Sequence, residues 1–457
     1  MSIRCIKKES YKQELLVSQE NKQLYGEIFT PFGLIDMMFD MMDASHFCDP
    51  SKTYLDAGAG SGFFSMCLYW RLMDGLKNAI PEEDKRSEHI LTKMLYMSEI
   101  RDENVAKLRA MFGEKCNVLG GDFLDYLSRK FDYIVGNPPY NCNGIKKVPT
   151  NSVKDKKQDG KTIWFHFVRH SIDLLVPGGQ ILFIIPSIWM KPGRDNSYEF
   201  ITSYKINKIR CMSNSLTNKY FSGEAQTPTS LLLMSRLPSD GLISLYDQDL
   251  ERYIEYCFDS EALEPIPVYG CSVFSKVKRD LKTIGLDVYK TNMPSSTASI
   301  VKSRDEIHPH ENIRTAILSG LDPKLVIDYS DKELAFAGKV KLVMPHKMYG
   351  FPFVDKTGRY GVSNRDSYVI ESDDIHYLER LAEFFSTKTA LYLFEATRYR
   401  MKYLEKYVFQ VIPDVCMLDG FPDVINDSTI AEYFGFTAEE RDAIDRLHNK
   451  KYTFKYK

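Results

Sequence analysis

Phe131-Asp132-Tyr133-Ile134-Val135-Gly136-Asn137-Pro138-Pro139-Tyr140-Asn141 begins as a short apolar strand and ends in a turn that neither strand nor helix can continue. Proline has no amide donor for a sheet ladder, and each proline pushes the preceding residue out of the helical region, so the run stops as a stiff extended turn. Such a turn holds an Asn side chain and an aromatic ring rigidly at the carboxyl edge of a sheet. The Asn137 carboxamide oxygen and the neighbouring Pro138 carbonyl are two acceptors able to take both hydrogens of one exocyclic amine. Tyr140 offers a ring on which a flat aromatic substrate can stack. A buried strand leaving through a proline turn would account for most Asn-Pro pairs, but less well for Asn-Pro-Pro-Tyr after such a strand.

Upstream, Tyr54-Leu55-Asp56-Ala57-Gly58-Ala59-Gly60-Ser61-Gly62 reads as a strand running into a glycine-rich turn, with a helix over residues 63–72 behind it. Glycines at 58, 60 and 62 remove side chains where the backbone must pass close to a ligand, and Asp56 places a carboxylate at the strand end. The spacing is neither Gly-x-Gly-x-x-Gly nor a Walker loop. Residues 74–88 read as a solvated, charged insertion. A second strand over 93–98 ends at Glu99, a helix covers 102–112, and a third strand ends in Gly120-Gly121-Asp122. Strands alternating with helices predict a doubly wound α/β sheet, whose ligands bind at the carboxyl ends of the strands. A single acid at a strand end is usually a polar turn residue. Asp56, Glu99 and Asp122 at successive ends suit a nucleoside, since one carboxylate can accept ribose hydroxyls and another an adenine amine.

Taken together, these motifs resemble the S-adenosylmethionine-dependent amino-methyltransferases, with Asp56-Ala57-Gly58-Ala59-Gly60-Ser61-Gly62 as their cofactor glycine motif. Asn137-Pro138-Pro139-Tyr140 is similar to the catalytic motif of the N6-adenine DNA methyltransferases. Thr30-Pro31, where a Met-rich helix is expected to open at Thr30 with Pro31 in its first turn, matches the amino-terminal motif that touches the methionine part of the cofactor in the gamma class. The resemblance covers about residues 25–245 and implies S-adenosylmethionine as cofactor, bound by Thr30, Pro31, Asp56, Gly58, Gly60, Gly62, Glu99, Asp122 and Asn137. Within it, Glu99 would take the ribose and Asp122 the adenine amine of the cofactor. The implied catalytic residues are Asn137, Pro138, Pro139 and Tyr140, with Phe221 facing the target base from the opposite side and Tyr220 as its competitor. His166 and His170, one helical turn apart, have no third ligand and read as helix-face residues, so no metal is expected.

Residues 1–24 read as an amino-terminal arm, in which the polar run 5–24 with its sparse apolar positions suits a mobile arm or a short helix. The catalytic domain spans 25–240, and 245–457 is expected to be a mixed α+β target-recognition domain. The basic segment 141–161, with Lys146, Lys147, Lys154, Lys156, Lys157 and Lys161, is a candidate phosphate contact, although such runs are usually just solvated. Arg398, Arg400, Lys402 and Lys406, interleaved with Tyr399, Tyr403 and Tyr407, read equally as a solvated helix face or as a DNA-backbone contact. Thr437-Ala438-Glu439-Glu440 is a capping box for a last helix.

Hydrophobic residues at 44% and charged residues at 27% are those of a globular protein, and 457 residues exceed what one core usually fills. A net charge of −2 excludes a wholly basic nucleic-acid binder, and residues 1–240 carry 31 basic against 28 acidic residues, with 29 against 34 beyond. No apolar run approaches a membrane span, the start lacks a signal core, and the nine scattered cysteines read as reduced thiols. The expected partner is double-stranded DNA, with no membrane contact; the chain is expected to be cytoplasmic and monomeric, with room for a restriction endonuclease partner. The rival readings are a protein-glutamine methyltransferase, whose target amide presents the same planar amine, and the methylase part of a restriction-modification enzyme. A non-catalytic scaffold fits the intact motifs less well.

Overall fold

The computed structural model describes residues 2–6, 8, 11, 18–126, 129–142, 161–223, 227–279, 285–319, 322–345, 351–365, 367–399 and 404–446. The chain divides into two compact units, Met1–Trp189 with Gly193–Ser244, and Met190–Pro192 with Leu245–Lys457. No helix among the described residues is long and apolar enough to cross a membrane.

The first unit is built on strands β1 (Tyr54–Ala57), β2 (Leu95–Glu99), β3 (Asn117–Gly120), β4 (Phe131–Gly136), β5 (Leu175–Pro186), β6 (Tyr204–Met212) and β7 (Thr229–Pro238). Their order across the sheet is β3-β2-β1-β4-β5-β7-β6. The first five run parallel, and β7 lies antiparallel to both β5 and β6. This is the Rossmann-like, doubly wound α/β sheet that the strand–helix alternation implies. β1 is buried along its whole length and β4 at every residue but Asp132, as expected where a parallel sheet is covered on both faces. The order reverses between β1 and β4, and a doubly wound sheet opens its binding crevice at the carboxyl ends beside such a reversal.

Five helices position the site: α1 (Gln19–Tyr25), α2 (Phe32–Phe39), α3 (Phe63–Gly75), α4 (Asp102–Phe112) and α5 (Trp164–Leu174). In α5 the buried residues Trp164, Phe167, Val168, Ser171 and Ile172 recur at helical spacing and form one stripe against the sheet. Gly62 caps the start of α3; its φ of +82° favours glycine, and an added Cβ would stand 2.8 Å from Leu108 Cδ2 of α4. α2 opens one residue later than expected, with Pro31 as its N-cap.

Within the amino-terminal arm the short-helix reading holds at Gln19–Tyr25, and Ile3 and Ile6 are buried, Trp70 Nε1 donating to the Ile6 carbonyl at 3.3 Å. Two local readings change. The insertion is not all loop, because Glu83–His89 is a helix in which buried Arg86 donates to the Ile80 and Pro81 carbonyls at 2.7 and 3.0 Å. Lys93 and Met94 belong to a π-helical turn, Ile90–Met94, so β2 starts at Leu95.

The second unit is mixed α+β. One four-stranded sheet holds Lys341–Met344 between Phe353–Asp355 and Tyr368–Glu371, and another is built around the hairpin of His310–Ser319 and Asp322–Ser330. Ile313 and Val362 from the second sheet meet Val343 and Val369 from the first in a common core. The Thr437–Glu440 capping box forms as its spacing requires, Thr437 N donating to Glu440 Oε2 at 2.7 Å and Glu440 N to Thr437 Oγ1 at 3.2 Å.

Lys341 and Asp355 form an ion pair at 2.7 Å with side chains 0% and 2% exposed. Asp355 also accepts from Arg359 N and Tyr360 N at 3.0 and 2.9 Å, so its charge organises the following turn. Removing one partner of such a pair strands the other in the core, at a cost of about 3–5 kcal/mol. Asp355→Ala should therefore lower the urea midpoint sharply, whereas a double Lys341→Met, Asp355→Leu change should lower it much less; equal losses in the two would contradict this account.

Candidate functional site

The carboxyl ends of β3, β2, β1 and β4 converge on a cavity of about 320 Å³, within the range of small-molecule sites. Gly58, Ala59, Gly60 and Ser61 form its floor, and Glu99, Asp122 and Asn137 come from the ends of β2, β3 and β4. Leu24 to Thr30 cross it as a roof, and Phe29, Phe63, Phe123 and Phe167 supply apolar wall. At Gly58 nothing lies within 4 Å of where a Cβ would stand, so any side chain there would take room from the cavity it lines. Of the charged lining residues, Glu27, Glu99 and Asp122 outnumber Arg101, so the cavity favours a cationic ligand.

Glu99 is 5% exposed and fixed by two backbone donors, Gly60 N on Oε2 at 2.7 Å and Arg101 N on Oε1 at 2.9 Å. Burial raises its carboxyl above the ordinary range, and these amides oppose the rise. Each carboxylate oxygen keeps a lone pair for a ligand hydroxyl. Asp122, by contrast, is exposed to the cavity and caps the turn after β3, its Oδ1 accepting from Leu124 N at 2.9 Å.

The roof is tied by residues that sequence reasoning missed. Arg101 Nη1 donates to Glu27 Oε2 at 2.7 Å, with side chains only 14% and 11% exposed, and Asn104 Nδ2 donates to Glu27 Oε1 at 3.3 Å. Gly26 lets this segment press on the proline turn: with φ +65°, it lies where an added Cβ would be 2.2 Å from the Asn141 carbonyl. Only the position of Gly26-Glu27 just ahead of Thr30-Pro31 pointed to this segment, because nothing local in a sequence links residue 27 to residue 101.

Asn137 lies in the cavity wall, and its Nδ2 donates to Thr30 Oγ1 at 3.2 Å. Its Oδ1 is buried with no hydrogen-bond partner among the described residues, as is the Tyr140 hydroxyl. An orphaned buried acceptor is costly in a stability sense and is the feature expected where a ligand donor completes the site. Pro139 also lines the cavity, whereas Pro138 is buried behind it.

Other candidates stand elsewhere. Asp56 does not line the cavity; its Oδ2 accepts from Ser65 N at 3.1 Å and Ser65 Oγ at 2.7 Å, fastening the first turn of α3. Gly62 serves helix packing, and Pro31 caps α2, so neither borders the cavity. Phe221 is 4% exposed at the end of the helix Asn214–Tyr220 and does not reach the cavity, while Tyr220 is half-buried. His170 bonds the Tyr126 carbonyl at 2.7 Å and edges onto Phe123, which makes it a helix-face residue. In the second unit Tyr399 is 0% exposed with its hydroxyl on the Ile266 carbonyl, Tyr407 bonds the Pro192 carbonyl, and Arg398 pairs with Glu395. That stretch is therefore partly core rather than one solvated face. Arg400, Lys402, Tyr403, and Lys146, Lys147, Lys154, Lys156 and Lys157 lie outside the described residues.

Residues 67–216 match the Eco57I restriction-modification methylase family. The chain is similar to the type II methyltransferase M.PaeR7I of Pseudomonas aeruginosa, 27% identical over 39% of this chain and 34% of that protein. It is also similar to the modification methylase CviBIII of Paramecium bursaria Chlorella virus NC1A, 24% identical over 65% of this chain and 70% of that protein. A third relative is the tRNA1(Val) (adenine(37)-N6)-methyltransferase of Glaesserella parasuis serovar 5 (strain SH0165), 28% identical over 30% of this chain and 54% of that enzyme. The chain thus spans about a third of the Pseudomonas relative's length and about half of the Glaesserella one.

Burial pushes the Asp56 carboxyl up from 3.8 to about 7, against the Ser65 hydrogen bonds and with the Glu99 charge adding to the rise. Because the folded value exceeds the unfolded one, the unfolded chain ionises first as pH rises. The associated stability is complete at acid pH, is lost between about pH 4 and 7, and changes little above that. Asp56→Asn keeps an acceptor for Ser65 and removes the titration, so its melting temperature should change less between about pH 5 and 7 than that of the wild type. An identical pH dependence in both proteins would show that Asp56 is not the group concerned.

Proposed function

We propose that this chain is a DNA methyltransferase that transfers a methyl group from S-adenosylmethionine to the N6 amine of an adenine flipped out of duplex DNA. The observation that carries the reading is the buried, unpartnered Asn137 Oδ1 in the wall of a glycine-floored cavity. The match to a restriction-modification methylase family supports methyl transfer to DNA, and the N6-adenine relative supports the choice of amine.

The residues fit this cofactor. The glycine floor leaves room against the backbone, the three carboxylates suit a cation, and the phenylalanine walls suit an adenine ring. Glu99 would accept from the ribose hydroxyls and Asp122 from the adenine amine. When bound, S-adenosylmethionine supplies a methyl group on a positively charged sulfur. The chain's own task is to hold the acceptor. Asn137 Oδ1 and the Pro138 carbonyl take the two hydrogens of the target amine, which fixes the nitrogen and keeps its lone pair available. Tyr140 gives the base a ring to stack on, and Tyr220 becomes the better candidate for its other face because Phe221 is buried. Positioning and electrostatics suffice for such a step, and the amine releases one proton to solvent afterwards. The base must leave the helix because its amine is unreachable inside the stack.

The second unit, residues 245–457, is proposed to read the DNA sequence, with the protein acting as a monomer and a restriction endonuclease as its biological counterpart. Tritiated S-adenosylmethionine should label duplex DNA, and nucleoside analysis should give N6-methyladenine; labelling of protein or of RNA instead would replace the substrate assigned here. Asn137→Ala should abolish transfer while S-adenosylmethionine binding persists. Glu99→Ala and Asp122→Ala should each weaken that binding about tenfold to a hundredfold in calorimetry, as expected for losing a hydrogen bond to a charged group.

A further inference from the structure

The resemblance in sequence makes Thr30 a contact for the methionine part of the cofactor. Its place in the structure adds a second task. Thr30 is 4% exposed, borders the cavity, and accepts from Asn137 Nδ2 at 3.2 Å across 107 residues of chain. A carboxamide has a donating end and an accepting end, and only the accepting end can take a hydrogen from an amine. In the observed orientation the nitrogen is held by Thr30 and the oxygen is left buried and unpartnered. Turned over, the group would point its own N–H donors at the incoming amine, donor against donor.

We propose that Thr30 is a positioning residue for the reaction: its hydroxyl holds the nitrogen end of the Asn137 carboxamide so that Oδ1 faces the acceptor amine. The proposal rests on the methyltransferase reading above. It assigns the Thr30 side chain to the chemical step as well, so its loss appears in turnover at saturating cofactor, whatever happens to cofactor affinity. Backbone on both sides supports this role. Pro31 fixes the start of α2 immediately after Thr30, and Pro138 stiffens the chain immediately after Asn137, so the two side chains meet from rigid mounts.

The test compares Thr30→Val, which keeps shape but removes the hydroxyl, with Thr30→Ser, which restores it. At saturating S-adenosylmethionine, Thr30→Val should lower kcat about tenfold to a hundredfold, as for the loss of one aligned hydrogen bond at a reacting group, while Thr30→Ser recovers most of it. The dissociation constant for S-adenosylmethionine, measured by calorimetry without any acceptor, sets the concentration that saturates each variant, so that a change in the cofactor contact is not read as a change in kcat. Weakened cofactor binding with unchanged kcat would overturn the proposal and leave Thr30 as a cofactor contact only. Unchanged kcat and unchanged binding, or a Ser variant as slow as the Val variant, would overturn it as well. If the wild type methylates an amine other than that of adenine in DNA, the same comparison is made on that acceptor and decides the role of Thr30 alone. A wild type that binds the cofactor but methylates nothing removes the methyltransferase reading and this proposal with it.

Discussion

One carboxylate joins the parts of the cavity. Glu99 is taken almost wholly out of water, which disfavours its charge, and two backbone amides compensate it. One of those amides, that of Gly60, belongs to the floor, and the other, that of Arg101, belongs to the residue ahead of α4. The Arg101 side chain then reaches Glu27 in the roof. Floor, wall and roof are thus held in register from the end of a single buried strand. The arrangement also explains why the turn after β1 can be so poor in side chains: its shape is imposed by a neighbouring acceptor, not by its own packing.

What the sequence disclosed were features with a local signature. Asn-Pro-Pro-Tyr after an apolar run, three glycines after a strand, and acids at strand ends each follow from backbone rules that act over a few residues. Glu99, Asp122, Gly58, Gly60 and Asn137 accordingly meet at one cavity. Asp56 shows the limit of that logic. It sits at a strand end like the others, but Ser65 in the first turn of α3 draws its carboxylate under the floor. Phe221, singled out by its order along the chain, is buried just past the helix that ends at Tyr220, which that order does not disclose. Interleaved tyrosines and basic residues near 400 carry no periodicity that separates core from surface, and Tyr399 proves to be core. The charged stretch before β2 hid a helix for a related reason: Arg86 is buried because it answers two carbonyls of its own turn, which composition cannot reveal.

Stability and function pull in opposite directions at the proline turn. Asn137 Oδ1 and the Tyr140 hydroxyl are both buried without partners among the described residues, a feature that packing alone would select against. The surrounding chain tolerates them because two prolines, Gly136 and the close approach of Gly26 leave the turn little freedom to relax.

The roof of the cavity is the earliest part of the chain in order yet is fastened to some of the latest parts of the site. Its ties to Arg101 and Asn137 close loops of 74 and 107 residues, and long loops are closed after local structure has formed. During synthesis the tie to Asn137 cannot form until β4 and the turn after it have emerged. The binding competence of the first unit is in this sense a late event of folding, reached when an early segment finally docks onto a sheet that is already built.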